Sequence, residues 1–507
     1  MKKGFTLIEL LGVILLLGVI ATIATPVVLN ITSSTKEIAA EESIKMYIKA
    51  VNNKIAASRI KHKKIEDGTY EITDNGNKIC LVSGCSDYIE IDYSGNKIES
   101  GYINIKNGKV YSFEYLKIGN IAYSGDMNNL TSIETSTSIV KTPDECFILD
   151  PNDSSVISGY DVDNSKCTKN VTIPNKINGV EIKTIGDESF LGKELENVTI
   201  LNGIKKIGNI AFSDNKLTSL TMPDSIEEIG DYAFESNLIS NLKLSRNLKI
   251  ISQYSFANNA LTNLVLPDSI LTIEEGSFSD SKIENLKIGS GVKTIGKSAF
   301  IGNPLTRLTI PGNVESIGEG AFAYNSIINL KLENGIKIIG ELAFRGNQIT
   351  SLIIPPSLEE MGDSAFIENA VETLDLSNAT QLKTIGPYAF NNNKIKNIQF
   401  SNTLEEIGEY AFSENYLSNI IIPDSVKTIG EYAFSTNNLK TVKIGNEITY
   451  IGESAFESTI YNLDGYGPNQ IESIIINSNS SSVSYENAFK GFNGTICFLK
   501  DNPNCGN

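Results

Sequence analysis

The sequence predicts an α+β chain: a long N-terminal helix with a small antiparallel β headpiece, followed by a repeat solenoid that fills well over half of its length. Three observations predict it. Phenylalanine recurs at one fixed interval, at Phe190, Phe212, Phe234 and onward to Phe366, and again from Phe390 to Phe456 after a single wider spacing. An apolar run from Phe5 to Leu29 opens the chain. Between the two, Gly68 to Gly125 alternates apolar and polar residues with period two.

Composition narrows the function. The 507 residues carry 43 basic and 60 acidic side chains, a formal net charge of −17. That excludes a generally basic nucleic-acid binder, which needs clustered Lys and Arg to neutralise phosphates. A hydrophobic content of 41% excludes a polytopic membrane protein. His62 is the single histidine, inside Lys61-His62-Lys63-Lys64 at the end of the expected helix, where it complements the helix dipole. One histidine leaves no His-based metal cluster and argues against a His-dependent triad. There is no P-loop, no G-x-S-x-G elbow and no C-x-x-C pair. No catalytic residue, metal or cofactor is expected.

The apolar run from Phe5 to Leu29 is long enough to span a membrane. As a helix it reaches about 37 Å, against a bilayer core of about 30 Å. Lys2 and Lys3 place its start in the cytoplasm and the bulk of the chain outside. Glu9 is its one charge, and a lone carboxylate at a membrane calls for a partner. Cleavage between Gly4 and Phe5 would create an ammonium group one turn away, or on a neighbouring helix. Gly4, then Phe5-Thr6-Leu7-Ile8-Glu9, then an apolar helix carrying Pro26, resembles the class III leader of type IV pilins and type II secretion pseudopilins. The resemblance implies cleavage after Gly4 by a prepilin peptidase and N-methylation of Phe5. It also implies that Glu9 pairs with the N-terminus of an adjacent pilin subunit, and that Pro26 marks a kink. The plainer alternative is an ordinary signal peptide or anchor, for which Ala24 offers a weak cleavage site.

Residues 30–64 carry eight basic and three acidic side chains. Ile38, Ile44, Ile48, Val51 and Ile55 recur at mostly helical spacing, so the helix continues as an amphipathic stem. Its basic face can meet anionic lipid or an acidic neighbour, or simply face water. The alternating segments that follow are separated by Asn75-Gly76, Ser94-Gly95-Asn96 and Asn107-Gly108, which supply hairpin turns. Residues 126–142 are rich in Ser, Thr and Asn and read as a linker.

The phenylalanine period belongs to a repeat of which Leu217–Asn237, LTSLTMPDSIEEIGDYAFESN, is one copy. Each copy has L-x-x-L-x-I-P, then S-I-x-x-I-G, then x-x-A-F and a polar turn. A fixed period of this size means a solenoid whose units cannot fold alone. The pattern resembles the bacterial-surface leucine-rich repeats of the BspA type. The resemblance implies a parallel β-sheet on one face with turns and short helices on the other. Stacked strands about 4.8 Å apart give a sheet roughly 60 Å long, with Leu220 and Met222 inward and Ser219 and Thr221 outward. The Ile-Gly pair is read as a tight bend, and each phenylalanine as a ring buried in the opposite wall. The Asn ladder of the common leucine-rich pattern is not expected, because the column after the strand is mostly Ser or Gly, Asn247 and Asn313 excepted.

The implied domains are a leader at 1–4, membrane helix and stem at 5–64, a β domain at 65–125, linker and solenoid N-cap at 126–175, about thirteen repeats at 176–476 and a C-terminal cap at 477–507. Local cysteine pairing, Cys80 with Cys85, Cys146 with Cys167 and Cys497 with Cys505, is one of fifteen connectivities. Such bridges persist outside the cell, and unpaired thiols are the alternative.

The outward strand positions form two columns that make the expected ligand face. Asn241, Asn263, Asn285 and Asn329 stand in one, with Arg307. Lys243, Lys287, Lys331 and Lys443 stand in the other. A polar, locally basic face can hold an acidic polymer, a glycan, or a host or matrix protein. The same residues also serve merely to solvate an exposed sheet. The absence of an aromatic platform weakens the glycan version.

Two functions fit. The first is a non-catalytic, single-pass pilin-like surface protein that displays the solenoid for adhesion or ligand binding, as a minor or tip subunit in the membrane or a type IV filament. The alternative is a minor pseudopilin with a structural or cargo role in a secretion or competence-like machine. Both predict that mass spectrometry of the mature N-terminal peptide finds methylated Phe5 as its first residue. An intact Met1, or a cut near Ala24, removes the pilin assignment.

Overall fold

The computed structural model describes residues 43–56, the strands within 68–134 together with residues 91 and 98, residues 142–457 and residues 469–505. Gly4, Phe5, Glu9, Pro26 and His62 lie outside the described residues, as do the side chains of Cys80 and Cys85. Among the described residues no helix is long and apolar enough to cross a membrane. The chain divides into two compact units, Met1–Val140 and Lys141–Asn507.

In the first unit, residues 43–56 form a helix, α1. Its buried stripe is Ile44, Tyr47, Ile48, Val51 and Ile55, the spacing that places side chains on one helical face. The stripe packs on Ile72, Ile79, Ile91, Ile98, Ile103 and Ile105. Asn52 Oδ1 accepts the Val110 N–H at 2.9 Å. The sheet runs β1 Gly68–Thr73, β2 Lys78–Leu81, β3 Ile89–Glu90, β4 Ser100–Lys106, β5 Lys109–Ile118, β6 Ile121–Gly125 and β7 Leu130–Glu134. Their order is β3-β2-β1-β4-β5-β6-β7, antiparallel wherever two strands pair. Strand β7 falls inside the segment read as linker. Its Leu130, Ser132 and Ile133 pair with Gly125, Tyr123 and Ala122, so the ladder supplies the order that the Ser/Thr-rich composition does not.

The second unit is the solenoid. In the repeat Leu217–Asn237, Leu220 and Met222 are buried and Ser219 is exposed, the alternation of a strand with one face inside. That strand, Ser219–Thr221, pairs in parallel with Asn241–Lys243 one repeat on. A second, two-residue strand, Glu228–Ile229, pairs in parallel with Lys206–Ile207 one repeat back. Each coil thus contributes to two rows of parallel strands, and these are divided into sheets of two to six strands rather than one continuous sheet. One division has a visible cause: the wider spacing between Phe366 and Phe390 inserts extra chain after Asp375, between the strands Glu360–Met361 and Thr384–Ile385. Gly230 serves the stacking and not the bend: a Cβ there would lie 2.4 Å from the Asn209 backbone nitrogen of the preceding coil.

The third wall corrects the expectation of short helices. Among the described residues the repeats contain none; the wall is built from turns. From Phe190 to Phe434 the residues two before and two after each stacked phenylalanine carry positive φ, as at Tyr232 (φ 58°) and Ser236 (φ 53°). A right-handed helix cannot continue through left-handed residues. In its place three N–H groups reach the next coil: Tyr232 to the Gln253 carbonyl at 2.9 Å, Phe234 to Ser255 at 2.9 Å and Ser236 to Ala257 at 3.0 Å.

The phenylalanines are fully buried, as the period predicts, and their rings stack. Phe322 lies 5.2 Å from Phe300 and 5.6 Å from Phe344, tilted by 5° and 7°. The column runs past the expected solenoid limits. Tyr160 opens it against Phe190, and Phe489 closes it against Phe456 at 5.2 Å. The segment read as C-terminal cap therefore begins as a further coil, whose strand Ile496–Phe498 pairs with Ser473–Ile476. At the other end, Phe147–Leu149 pairs antiparallel with Val156–Tyr160 and covers the edge of the row of two-residue strands. Cys146 is bonded to Cys167 and Cys497 to Cys505, one bridge at each end.

An asparagine ladder is present, three positions beyond most of the stacked phenylalanines, from Asn215 to Asn437. Asn347 is buried; its Nδ2 donates to the carbonyls of Phe322 at 2.9 Å, Phe344 at 3.0 Å and Arg345 at 3.4 Å. Its Oδ1 accepts the Ile327 N–H at 3.0 Å. The same pattern holds from Asn215 to Asn437 with two exceptions: Ser281 takes the place once and donates to the Phe256 carbonyl at 2.7 Å, and Asn325 donates to the Phe300 carbonyl at 2.9 Å while its buried Oδ1 accepts no hydrogen bond. Beyond Phe456 the column is resumed by Asn469, which reaches the Phe434 carbonyl at 2.9 Å.

Phe322→Ala is expected to cost roughly 3–5 kcal/mol through the cavity it opens. Asn347→Ala is expected to cost roughly 2–4 kcal/mol, because buried backbone groups on two coils lose their partner, with Asn347→Ser milder. Denaturant unfolding of the three variants checks this; an unchanged midpoint for both alanine variants removes the assignment.

Candidate ligand-binding face

The outward residues of the first strand row form one surface because the strands pair in register. Asn263 stands opposite Asn285 and Val265 opposite Lys287; Arg307 stands opposite Asn329 and Thr309 opposite Lys331. Inward Leu264 and Leu308 are buried, while Leu242, Leu286 and Leu330 are only partly covered. Some amides bond along the column: Asn285 Nδ2 donates to Asn263 Oδ1 at 2.9 Å, and Asn197 Nδ2 to Asn170 Oδ1 at 2.6 Å. Asn241 turns its amide to Ser240 Oγ at 3.4 Å.

Four of the expected site residues come together. Asn263, Asn285, Lys287 and Arg307 line one shallow depression of about 360 Å³, with Val265 and Thr309 at its sides and Leu264, Leu286 and Leu308 among its lining. Asn329 and Lys331 stand on the next strand, where Lys331 Nζ meets Glu333 Oε1 at 2.8 Å. Asn241 and Lys243 share a strand paired with Ser219–Thr221. Lys443 stands apart, between Ile421 and Ile475.

The face is less uniformly polar than the sequence reading has it. Val265, Ile353 and Ile421 are 62%, 63% and 70% exposed on it, a large apolar commitment to water. Its cations also differ in state. Neither Lys287 nor Arg307 forms an ion pair among the described residues, and the nearby charge on Lys287 is that of Asp268. The outward positions from Asn197 to Ile353 contain no carboxylate.

The acidic S-I-x-x-I-G turns carry their own cations. Glu315 lies between Lys337 at 3.0 Å and Lys293 at 3.4 Å; Glu405 lies between Lys427 at 2.7 Å and Lys383 at 3.5 Å. Lys205 pairs with Glu227 and Lys206 with Glu228, again one coil apart. Hydrogen bonds from Lys337 and then Lys293 hold the Glu315 carboxyl below its ordinary value of 4.5. Lys427 does the same for Glu405. All these groups are exposed, so each pair contributes little and is screened by salt.

A feature that sequence reasoning missed lies on the turn wall. Tyr388, Tyr410 and Tyr432 stack at 4.8 and 4.7 Å. Burial, then the neighbouring Tyr388, pushes the Tyr410 hydroxyl up to about 12. A depression of about 260 Å³ beside them is lined by Tyr410, Tyr432, Glu414 and Glu457 with three hydroxyl residues. The signal was available as Y-A-F at the phenylalanine period. Among the described residues no three His, Cys, Asp or Glu side chains gather as a metal site.

The geometry defines a class: a coiled stack of short repeats, with an open strand face and a wall of buried rings. The chain belongs to the BspA type leucine-rich-repeat family, whose model matches residues 155–282, 249–372 and 368–493, well over half of its length. Residues 1–25 match the prokaryotic N-terminal methylation motif. No enzyme family is indicated. Among solved structures the chain is similar to a leucine-rich repeat protein from Bacteroides ovatus, at 18% identity and TM-score 0.46, over 75% of this chain and 98% of that one. It is similar to a leucine-rich cell surface protein from Faecalibacterium prausnitzii, at 21% identity and TM-score 0.40, over 71% and 100%. It is also similar to the pneumococcal vaccine antigen PcpA, at 20% identity and TM-score 0.40, over 76% and 95%. No curated protein matches the chain.

The paired turn carboxylates make stability depend on pH with a definite sign. Their carboxyls lie below the ordinary value in the folded chain and return to it on unfolding. Their contribution is therefore present above about pH 4.5 and lost as pH falls through the folded values. The difference in Tm between the native chain and a Glu315→Gln, Glu405→Gln variant is expected to be positive at pH 7, to fall as the pH drops below the ordinary carboxyl value of 4.5, to vanish once it is below the lowered folded values, and to shrink in high salt. Thermal melts across that range check it.

Proposed function

We propose that this chain is a non-catalytic, pilin-like surface protein that displays its solenoid for adhesion or protein binding. Its N-terminal helix anchors it in the membrane or in a type IV filament, as a minor or tip subunit. The observation that carries this reading is the joining, in one chain, of a prepilin methylation motif at residues 1–25 to a repeat solenoid with an open, patterned strand face. The helix on an antiparallel sheet in the first unit supports a pilin headpiece. The bulk of the solenoid supports a minor or tip position, because about 300 residues on every subunit would crowd a dense filament. In this reading Gly4 and Phe5 are the processing site for a prepilin peptidase. Glu9 meets the N-terminal amine of an adjacent subunit and Pro26 bends the helix. The expected Cys80–Cys85 bridge would close a small loop in the headpiece.

The experiment compares cells carrying the native chain, the Glu9→Ala variant and no chain at all. The native protein is expected in the sheared surface fraction, and its cells are expected to bind host cells or matrix proteins. Glu9→Ala is expected to be cleaved normally and to be missing from the sheared fraction. Processed native protein confined to the membrane fraction, with no gain in adhesion, overturns the display reading in favour of a minor pseudopilin.

A further inference from the structure

We infer that the depression at the centre of the strand face takes an acidic polypeptide segment in extended form, with carboxylates on Lys287 and Arg307 and an apolar side chain on Val265. The inference rests on the display reading and names the chemistry of its ligand.

The argument starts from charge. The solenoid is acidic overall, and its turn carboxylates are met by lysines one coil away, as at Glu315 and Glu405. On the strand face the situation reverses. Lys287 and Arg307 line the same depression and form no ion pair among the described residues. No carboxylate occupies the outward positions around them. A site of one sign, set in a protein of the other sign, selects a ligand that the remaining surface repels.

Spacing then favours a polypeptide. Val265 stands directly opposite Lys287, one strand apart, about 4.8 Å. Arg307 lies on the next strand and one alternate position along it, so Lys287 and Arg307 are separated by a diagonal of roughly 8 Å. Alternate side chains of an extended peptide are about 7 Å apart. A segment of the form apolar-x-Glu-x-Glu therefore lays its three same-side residues near Val265, Lys287 and Arg307 in turn. Asn263 and Asn285 border the depression with amide groups that match a peptide backbone. Val265 at 62% exposure gives the apolar residue a partner. A sulfated or uronic glycan would use the cations and leave Val265 without one. The depression is open and no aromatic ring lines it.

The test uses the full chain in detergent and fluorescence anisotropy of a short labelled peptide with the pattern Leu-Thr-Glu-Thr-Glu. The native chain is expected to bind it, and binding is expected to weaken as salt rises. Arg307→Glu and Lys287→Glu are each expected to weaken it roughly tenfold or more, and Val265→Asn by a few-fold. Lys249→Glu, an exposed charge change on a turn, is expected to leave it unchanged. Replacing both glutamates of the peptide by glutamine is expected to abolish binding. Binding of a heparin fragment in place of the peptide overturns the polypeptide assignment, as does peptide binding that Arg307→Glu leaves untouched. Adhesion of cells in the preceding experiment separates the two levels. If cells adhere and Arg307→Glu cells adhere equally well, the inference fails and the display reading stands.

Discussion

One side chain per coil holds the solenoid together. Asn347, three positions beyond Phe344, sends its Nδ2 to the phenylalanine carbonyls of its own coil and the coil before, and takes a backbone N–H on its Oδ1; its counterparts from Asn215 to Asn437 do the same, Ser281 and Asn325 excepted. Burial makes this contact decisive. Turns packed inside a protein leave backbone groups that neither helix nor sheet satisfies, and each such group costs free energy if unmet. The amide meets three or four at once. It thereby fixes the phenylalanine carbonyl, and with it the ring, so that successive rings stack at about the rise of the coil.

The other walls follow from that anchor. With the turn held, positive φ at non-glycine residues such as Tyr232 and Ser236 becomes tolerable, since each aims an N–H at the next coil. The close stacking leaves no room for a Cβ at Gly230. The strand face inherits the same spacing, and this sets Val265, Lys287 and Arg307 at intervals a ligand can read. Rigidity of the buried wall thus becomes geometry on the open one. Exposed Lys–Glu pairs between turns add order to the edge and little energy, so the fold does not depend on them.

The two ends show how a repeat is stopped. A stack of parallel strands has two open edges, and an open edge invites pairing with another chain. Here an antiparallel hairpin and the Cys146–Cys167 bridge occupy the first edge. A last coil with Phe489 under Phe456, followed by the Cys497–Cys505 bridge, occupies the other. Within the longer stretch that separates the last two rings, Asn469 rejoins the ladder and donates to the carbonyls of Phe434 and Glu457.

By itself the sequence determined the solenoid, because a phenylalanine period this regular has only one way to bury its rings, and the inward and outward halves of each strand, because a strand alternates with period two. The leader motif was equally legible, since its order and spacing are local. The asparagine ladder escaped although Phe-x-x-Asn repeats in plain sight. Its role appears only when two coils lie against each other and Asn347 meets Phe322, a residue 25 positions away. Helix or turn in the far wall was likewise a tertiary decision, taken by bonds between coils that outweigh local propensity. The site divides the same way. Asparagines and cations could be assigned to two outward columns from spacing alone. Which of them share a depression, that Lys331 is neutralised by Glu333, and that Val265 stands open beside Lys287 depended on register and packing across strands.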